Sequence, residues 1–244
     1  MERLQFFFYN ERMKIEHLIF DMDDTLYPGT GKMNAGITRR MLQYVADFFG
    51  VNYEQGLELR KKNIGNFSTT LEWLMSEGLN DIEDFFATVH PDDEADELTP
   101  DPKLRPFLES IDIPKILLTN APLEHAERVL EKLNVKNLFD HICDIRFSEL
   151  KGKPYPKAFK NALAVCNGTI DDTLFIDDLV KYTDGYMALG GTAVQVGKNP
   201  GHHLSKDASS ACKETPPHPG RTLHIDSIYE IMALINELKD EHVF

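Results

Sequence analysis

The segment His17-Leu18-Ile19-Phe20-Asp21-Met22-Asp23-Asp24-Thr25-Leu26-Tyr27 changes character at its midpoint. Leu18-Ile19-Phe20 reads as a short buried strand, and a burst of three carboxylates ends it. If the backbone stays extended past Phe20, residues two apart share a side, so Asp21 and Asp23 converge while Asp24 faces away. Two carboxylates meeting at a buried strand end repel each other, and a divalent cation or a shared proton relieves that repulsion. Such a pair suits nucleophilic and acid/base work on a phosphoester.

Outward from this segment the chain shows two patterns. Pro28-Gly29-Thr30-Gly31 is a flexible break, and the residues up to 100 carry helical periodicity with no strand signal. Ile37, Met41, Val45 and Phe48 line a helix stopped by Gly50, and Asn52 caps a second. Thr69-x-x-Glu72 is a capping box for a third helix ended by Gly78. Asp81 opens a fourth, which carries Phe85, Phe86 and Val89. Residues 32–100 are therefore predicted to be a small helical unit inserted into a main domain of residues 13–31 and 101–244, with 1–12 an extension.

From Pro102, expected in a first helical turn, strands and helices alternate. Lys115–Leu118, a weak segment near Ile142–Phe147, Leu174–Ile176 and Ala193–Val196 read as strands. Helices are expected over Leu123–Leu133, Pro156–Cys166 and up to Gly190, and a last strand–helix pair runs from Leu223 to Lys239. This alternation implies an α/β class, a doubly wound parallel sheet with a Rossmann-like core. In such sheets ligands bind beyond the carboxyl ends of the strands. The polar residues gather there: Asp21 and Asp23, then Thr119 and Asn120, then Lys153, then Asp177 and Asp178. Lys198–Arg221 reads as a polar surface loop.

Composition narrows the function. At 244 residues and 42% hydrophobic, the chain is long enough and apolar enough to bury a core. No apolar run approaches the ~18–20 residues that span a bilayer. Three widely spaced cysteines fit a reducing cytoplasm and neither a disulfide frame nor a zinc site. A net charge of −14 argues against a nucleic acid polymer as partner, and leaves a small anionic substrate that a local metal, lysine or helix N-terminus attracts. A cytoplasmic monomer or homodimer is expected.

With these motifs in place, the chain resembles the haloacid dehalogenase-like superfamily of phosphohydrolases. Its D-x-D-x-T signature reads Asp21-Met22-Asp23-Asp24-Thr25, followed in order by Thr119-Asn120, Lys153-Pro154 and Asp177-Asp178. A closer likeness, to pyrimidine 5′-nucleotidase-like members, rests on Asp23-Asp24-Thr25-Leu26-Tyr27-Pro28, Thr69-Thr70-Leu71, Val89-His90, Thr119-Asn120-Ala121 and Asp177-Asp178.

The resemblance implies a Rossmann-like core with a helical cap, Mg²⁺ as cofactor and hydrolysis of phosphate monoesters through an aspartyl-phosphate. Nucleoside 5′-monophosphates, pyrimidine ones foremost, are the expected substrates. The alternatives are a sugar or other small-metabolite phosphatase and, in another class, a receiver-like phospho-acceptor. By resemblance Asp21 attacks phosphorus, and Asp23 serves as acid and base, its pKa raised by nearby negative charge. Lys153 neutralises the developing charge, while Thr119 and Asn120 hold phosphoryl oxygens. Asp21, the Asp23 carbonyl and Asp178 would ligate the metal, and Asp177 would join through water or orient Lys153. Asn66, Phe67 and Thr70 are cap residues placed to contact a base or sugar, with packing as the other reading for Phe67. One departure stands out: Tyr182 sits where related nucleotidases carry Asn.

Overall fold

The computed structural model describes residues 14–197 and 219–240. The expectations for residues 1–12, and for all but the end of the 198–221 loop, lie outside this range. Six parallel strands form one sheet in the order β3-β2-β1-β4-β5-β6. They are β1 (His17–Phe20), β2 (Lys115–Leu118), β3 (His141–Cys143), β4 (Thr173–Asp177), β5 (Thr192–Val196) and β6 (Arg221–Ile225). The chain winds outward from β1 to β3, then returns to β1's other side to lay down β4 through β6. The winding reverses between β1 and β4, where open α/β sheets hold their ligands.

Strand alternation divides the core. Leu18 and Phe20 of β1 join Leu117, Leu174 and Ile176 on one face, under α6 (Leu123–Lys132) and α9 (Ile231–Asp240). Ile19 points the other way, with Ile116, Phe175 and Ala193, under α7 (Pro156–Cys166) and α8 (Val180–Met187). Because both faces are covered, the central strands read as unbroken apolar runs.

Between β1 and β2 lie α1 (Lys32–Phe49), α2 (Tyr53–Asn63), α3 (Thr70–Ser76) and α4 (Ile82–Val89), followed by α5 (Leu104–Glu109). α1 to α4 share their own core of Val45, Leu71, Trp73, Leu74, Phe85 and Phe86, with Phe67 packed against it. Their ends are set locally. Gly50 closes α1 at φ 65°, and Asn52 and Gln55 form a reciprocal box at the start of α2. At α3 the box is altered: Thr69 accepts from the Glu72 N–H, but the Glu72 carboxylate takes the N–H and hydroxyl of Ser68 instead.

Three boundaries depart from expectation. Pro102 lies in the turn before α5 rather than in its first helical turn. The strand expected near Ile142–Phe147 is shorter and earlier, because Asp144 accepts the N–H groups of Leu123 and Phe147 and turns the chain away from the sheet. A 3₁₀ turn over Glu94–Glu97 carried no periodic signal.

Candidate active site

The carboxyl ends of β1, β2 and β4 frame an open cleft of about 340 Å³, whose walls include Asp21, Asp23, Thr119, Asn120, Asp178 and Tyr182. β1 delivers Asp21 as its next residue, and the Asp21 N–H still donates to Ile176 of β4 at 2.8 Å. Extended geometry then persists only as far as Asp23. Asp24 is left-handed, with φ 63°, and accepts from Gly29 N at 2.6 Å. The expectation that Asp24 faces away is therefore corrected, since the turn brings it to the cleft wall as well.

Beneath the cleft, Lys153 is wholly buried, with its ammonium 2.6 Å from Asp21 Oδ1 and 2.6 Å from Asp177 Oδ2. The other Asp177 oxygen accepts Leu179 N–H at 2.8 Å, so both of its oxygens are engaged. Asn120 grips the lysine loop from outside: its Nδ2 donates to the Lys153 carbonyl and its Oδ1 accepts the Lys153 N–H at 2.7 Å. Gly152 makes this approach possible, because a Cβ there would fall 2.0 Å from Asn120 Oδ1. Tyr182 accepts the remaining Asn120 N–H at 3.0 Å and places its ring 5.0 Å from the lysine Nζ. The residue that departs from the nucleotidase pattern thus braces Asn120.

Charge at the site is unbalanced. One ammonium faces two buried carboxylates, so burial pushes Asp21 and Asp177 upward against the pull of Lys153. Burial, reinforced by Asp177 and Asp24, pushes Asp178 up to about 7. Asp21, Asp177 and Asp178 each offer an oxygen within 4.8 Å of the others. An oxygen-only set with surplus negative charge fits a hard divalent cation. A carboxyl raised in the fold binds more protons folded than unfolded between the two pKa values, so the metal-free fold loses stability as pH rises from about 4 towards 7. A cation needs the ionised form and relieves the repulsion. Added Mg²⁺ is accordingly expected to raise the melting temperature clearly at pH 8 and little at pH 5. A thermal-shift titration with no Mg²⁺ response at pH 8 would count against a metal in this cluster.

Asp23 is corrected in a different respect. Its side chain is 34% exposed, and Tyr27 OH and His125 Nε2, the latter at 3.2 Å, both meet its Oδ1. Burial favours the protonated form, but His125 and Tyr27 outweigh it and hold Asp23 below the usual carboxylate range. His125 is in turn 2.6 Å from Glu94 Oε1. Burial opposes its charge, yet the two carboxylates raise it to about 9. His90 lies 3.1 Å from the other Glu94 oxygen and reaches the cleft wall. Glu94 and His125 carried no site signal in the sequence, and Val89-His90 and Tyr27 appeared only within family motifs.

Of the cap residues singled out, neither Asn66 nor Thr70 is on the cleft wall. Asn66 is exposed in the 3₁₀ turn after α2, and Thr70 is buried with its hydroxyl accepting from Arg60 Nε at 2.9 Å. Among the described residues, no helix is long and apolar enough to cross a membrane.

Comparison with known proteins bears on the family and the fold. The sequence profile of the haloacid dehalogenase-like hydrolases matches residues 15–181, more than half of the chain. Among solved structures, a HAD phosphatase from Thermococcus onnurineus is similar at a TM-score of 0.60 and 17% identity, over 91% of this chain and 98% of that one. A putative β-phosphoglucomutase from Thermotoga maritima gives 0.55 and 20%, over 91% and 99%. The L-2-haloacid dehalogenase from Xanthobacter autotrophicus, with chloropropionic acid covalently bound, gives 0.55 and 14%, over 93% and 100%. At these identities the likeness is one of fold.

Proposed function

The chain belongs to the haloacid dehalogenase-like hydrolases, and we propose that it is a Mg²⁺-dependent phosphomonoesterase working through an aspartyl-phosphate on Asp21. Nucleoside 5′-monophosphates, pyrimidine ones foremost, are the proposed substrates, and other small phosphorylated metabolites are the alternative. One observation carries the reading: Asp21, with Lys153 behind it, shares a single cleft with a second carboxylate, Asp23, and with Asp178. Displacing a halide needs neither an acid for the leaving group nor this metal-fitting carboxylate set, so dehalogenation has no use for them. A receiver-like acceptor has no use for Asp23.

In this reading Asp21, Asp178 and the Asp23 carbonyl would hold the cation, which would screen the substrate's charge, and Asp177 keeps Lys153 aimed. Asp21 attacks phosphorus, and the bond to the leaving oxygen breaks as Asp23 Oδ2 protonates it. Asp23 rests as a carboxylate, so that proton enters with the substrate: the second ionisation of a phosphate monoester lies near pH 6, and part of it arrives as the monoanion. Water activated by Asp23 then hydrolyses the aspartyl-phosphate. The Thr119 hydroxyl and the Asn120 backbone N–H are the donors for phosphoryl oxygens, because the Asn120 side chain is spent on the lysine loop. Lys153 offsets the charge gathering on those oxygens.

The helices α1 to α4 are proposed to act as the cap that selects the leaving group. Phosphate release with Mg²⁺ across nucleoside 5′-monophosphates and sugar phosphates tests the assignment. Turnover of pyrimidine nucleotides above the rest is expected, and no release from any of them would refute it.

A further inference from the structure

Asp23 is held from behind by residues far away in the chain. Its Oδ1 takes both Tyr27 OH and His125 Nε2, leaving Oδ2 as the oxygen available to the cleft. His125 is fully buried and its other nitrogen is 2.6 Å from Glu94, itself 3% exposed. Both ring nitrogens therefore face carboxylate oxygens, a setting in which the imidazole donates from both. Glu94 is fixed in its turn by Arg128 Nη2 at 3.1 Å and by His90 Nδ1 at 3.1 Å, with Arg40 Nη2 at 3.6 Å. A metal among His90, Glu94 and His125 is a poor competitor for this arrangement, since two guanidinium groups already crowd the only carboxylate that would hold it.

A buried, hydrogen-bonded network of this kind is costly to leave incomplete and fixes the geometry of whatever it ends on. It ends on the acid. Resting on the phosphomonoesterase reading, we propose that His125, clamped by Glu94, is a positioning residue that locks the Asp23 carboxylate with Oδ2 turned to the leaving-group oxygen.

Positioning of an acid matters in proportion to how badly the leaving group needs a proton. Alkoxides need one and p-nitrophenolate does not, so kcat/KM, which reports only the steps through leaving-group departure, separates this role from a structural one. With uridine 5′-monophosphate, whose leaving group is an alkoxide, His125→Asn and Glu94→Gln are expected to lower kcat/KM by about 10²-fold, the lower end of what acid–base catalysis contributes. With p-nitrophenyl phosphate the same variants should stay within about threefold of wild type. His125→Gln, whose amide reaches the position of Nε2, should recover most of the loss. Circular dichroism identifies folded variants, and Glu94→Gln, which preserves volume, carries the comparison if His125→Asn does not fold.

Equal losses on both substrates, or no loss on either, overturn the positioning role while the phosphatase reading stands. A wild-type protein that releases phosphate from neither substrate, nor from any nucleoside 5′-monophosphate or sugar phosphate, overturns that reading instead, and the inference with it.

Discussion

Replacing Asp21 with Asn is expected to reduce kcat by about 10⁴-fold or more, because the amide has no carboxylate to offer phosphorus and no neighbouring group substitutes for it. Stability should move the other way. Asp21 and Asp177 are buried against a single ammonium, and the first of them is raised by that burial. Asn keeps the shape and an oxygen for Lys153 while removing surplus charge, so the metal-free variant should melt higher by about 2–4 °C, the equivalent of roughly 1 kcal/mol in a chain of this size. Phosphate release and melting temperature, measured on the same metal-free and Mg²⁺-loaded samples, check both halves. Undiminished turnover would remove Asp21 as nucleophile. A lower melting point would show that the carboxylates are better balanced than the geometry indicates.

Lys153→Met is expected to fail on both counts. The side chain is fully buried and its ammonium is bonded to both Asp21 and Asp177, so its loss leaves two buried carboxylates facing each other. Breaking a buried pair in this way costs about 3–5 kcal/mol, or roughly 10 °C in melting temperature. The two carboxylates raise Lys153 against the effect of burial, so the ammonium itself stays charged across the assay range. In whatever fraction remains folded at low temperature, kcat should fall by about 10³-fold, the scale of losing one fixed charge donor at a transition state. Calorimetry together with assays at 10 °C separates the two effects. Full activity in a folded variant would leave Lys153 with a structural role alone.

The framework was legible because it is local. Lys115–Leu118 was placed to the residue from its apolar run, and the helix expected over Pro156–Cys166 has those bounds. Strand ends announce themselves through the abrupt polar residues that follow them, which is why Asp21, Thr119 and Asp177 could be assigned to one edge of the sheet. A boundary blurred where a side chain competed with the backbone, as with Asp144 after β3, while at α3 the Thr69 cap held and only the Glu72 carboxylate turned elsewhere. Asp24 was misread because alternation presumes continued extension, and a left-handed residue ends it.

From the order of residues alone came the doubly wound parallel sheet, the edge at which the polar residues gather and the residue types that meet there, since each follows from periodicities of two and 3.6 and from connection lengths. Tertiary structure decided what each polar group does once it arrives. Asn120 is occupied with the lysine loop, Tyr182 braces it across 62 positions, and Asp23 is tethered to a histidine 102 positions away that answers to Glu94. Contacts between distant segments leave no periodic trace in a single chain, because they are set by burial: a polar group removed from water must find a partner wherever the fold supplies one.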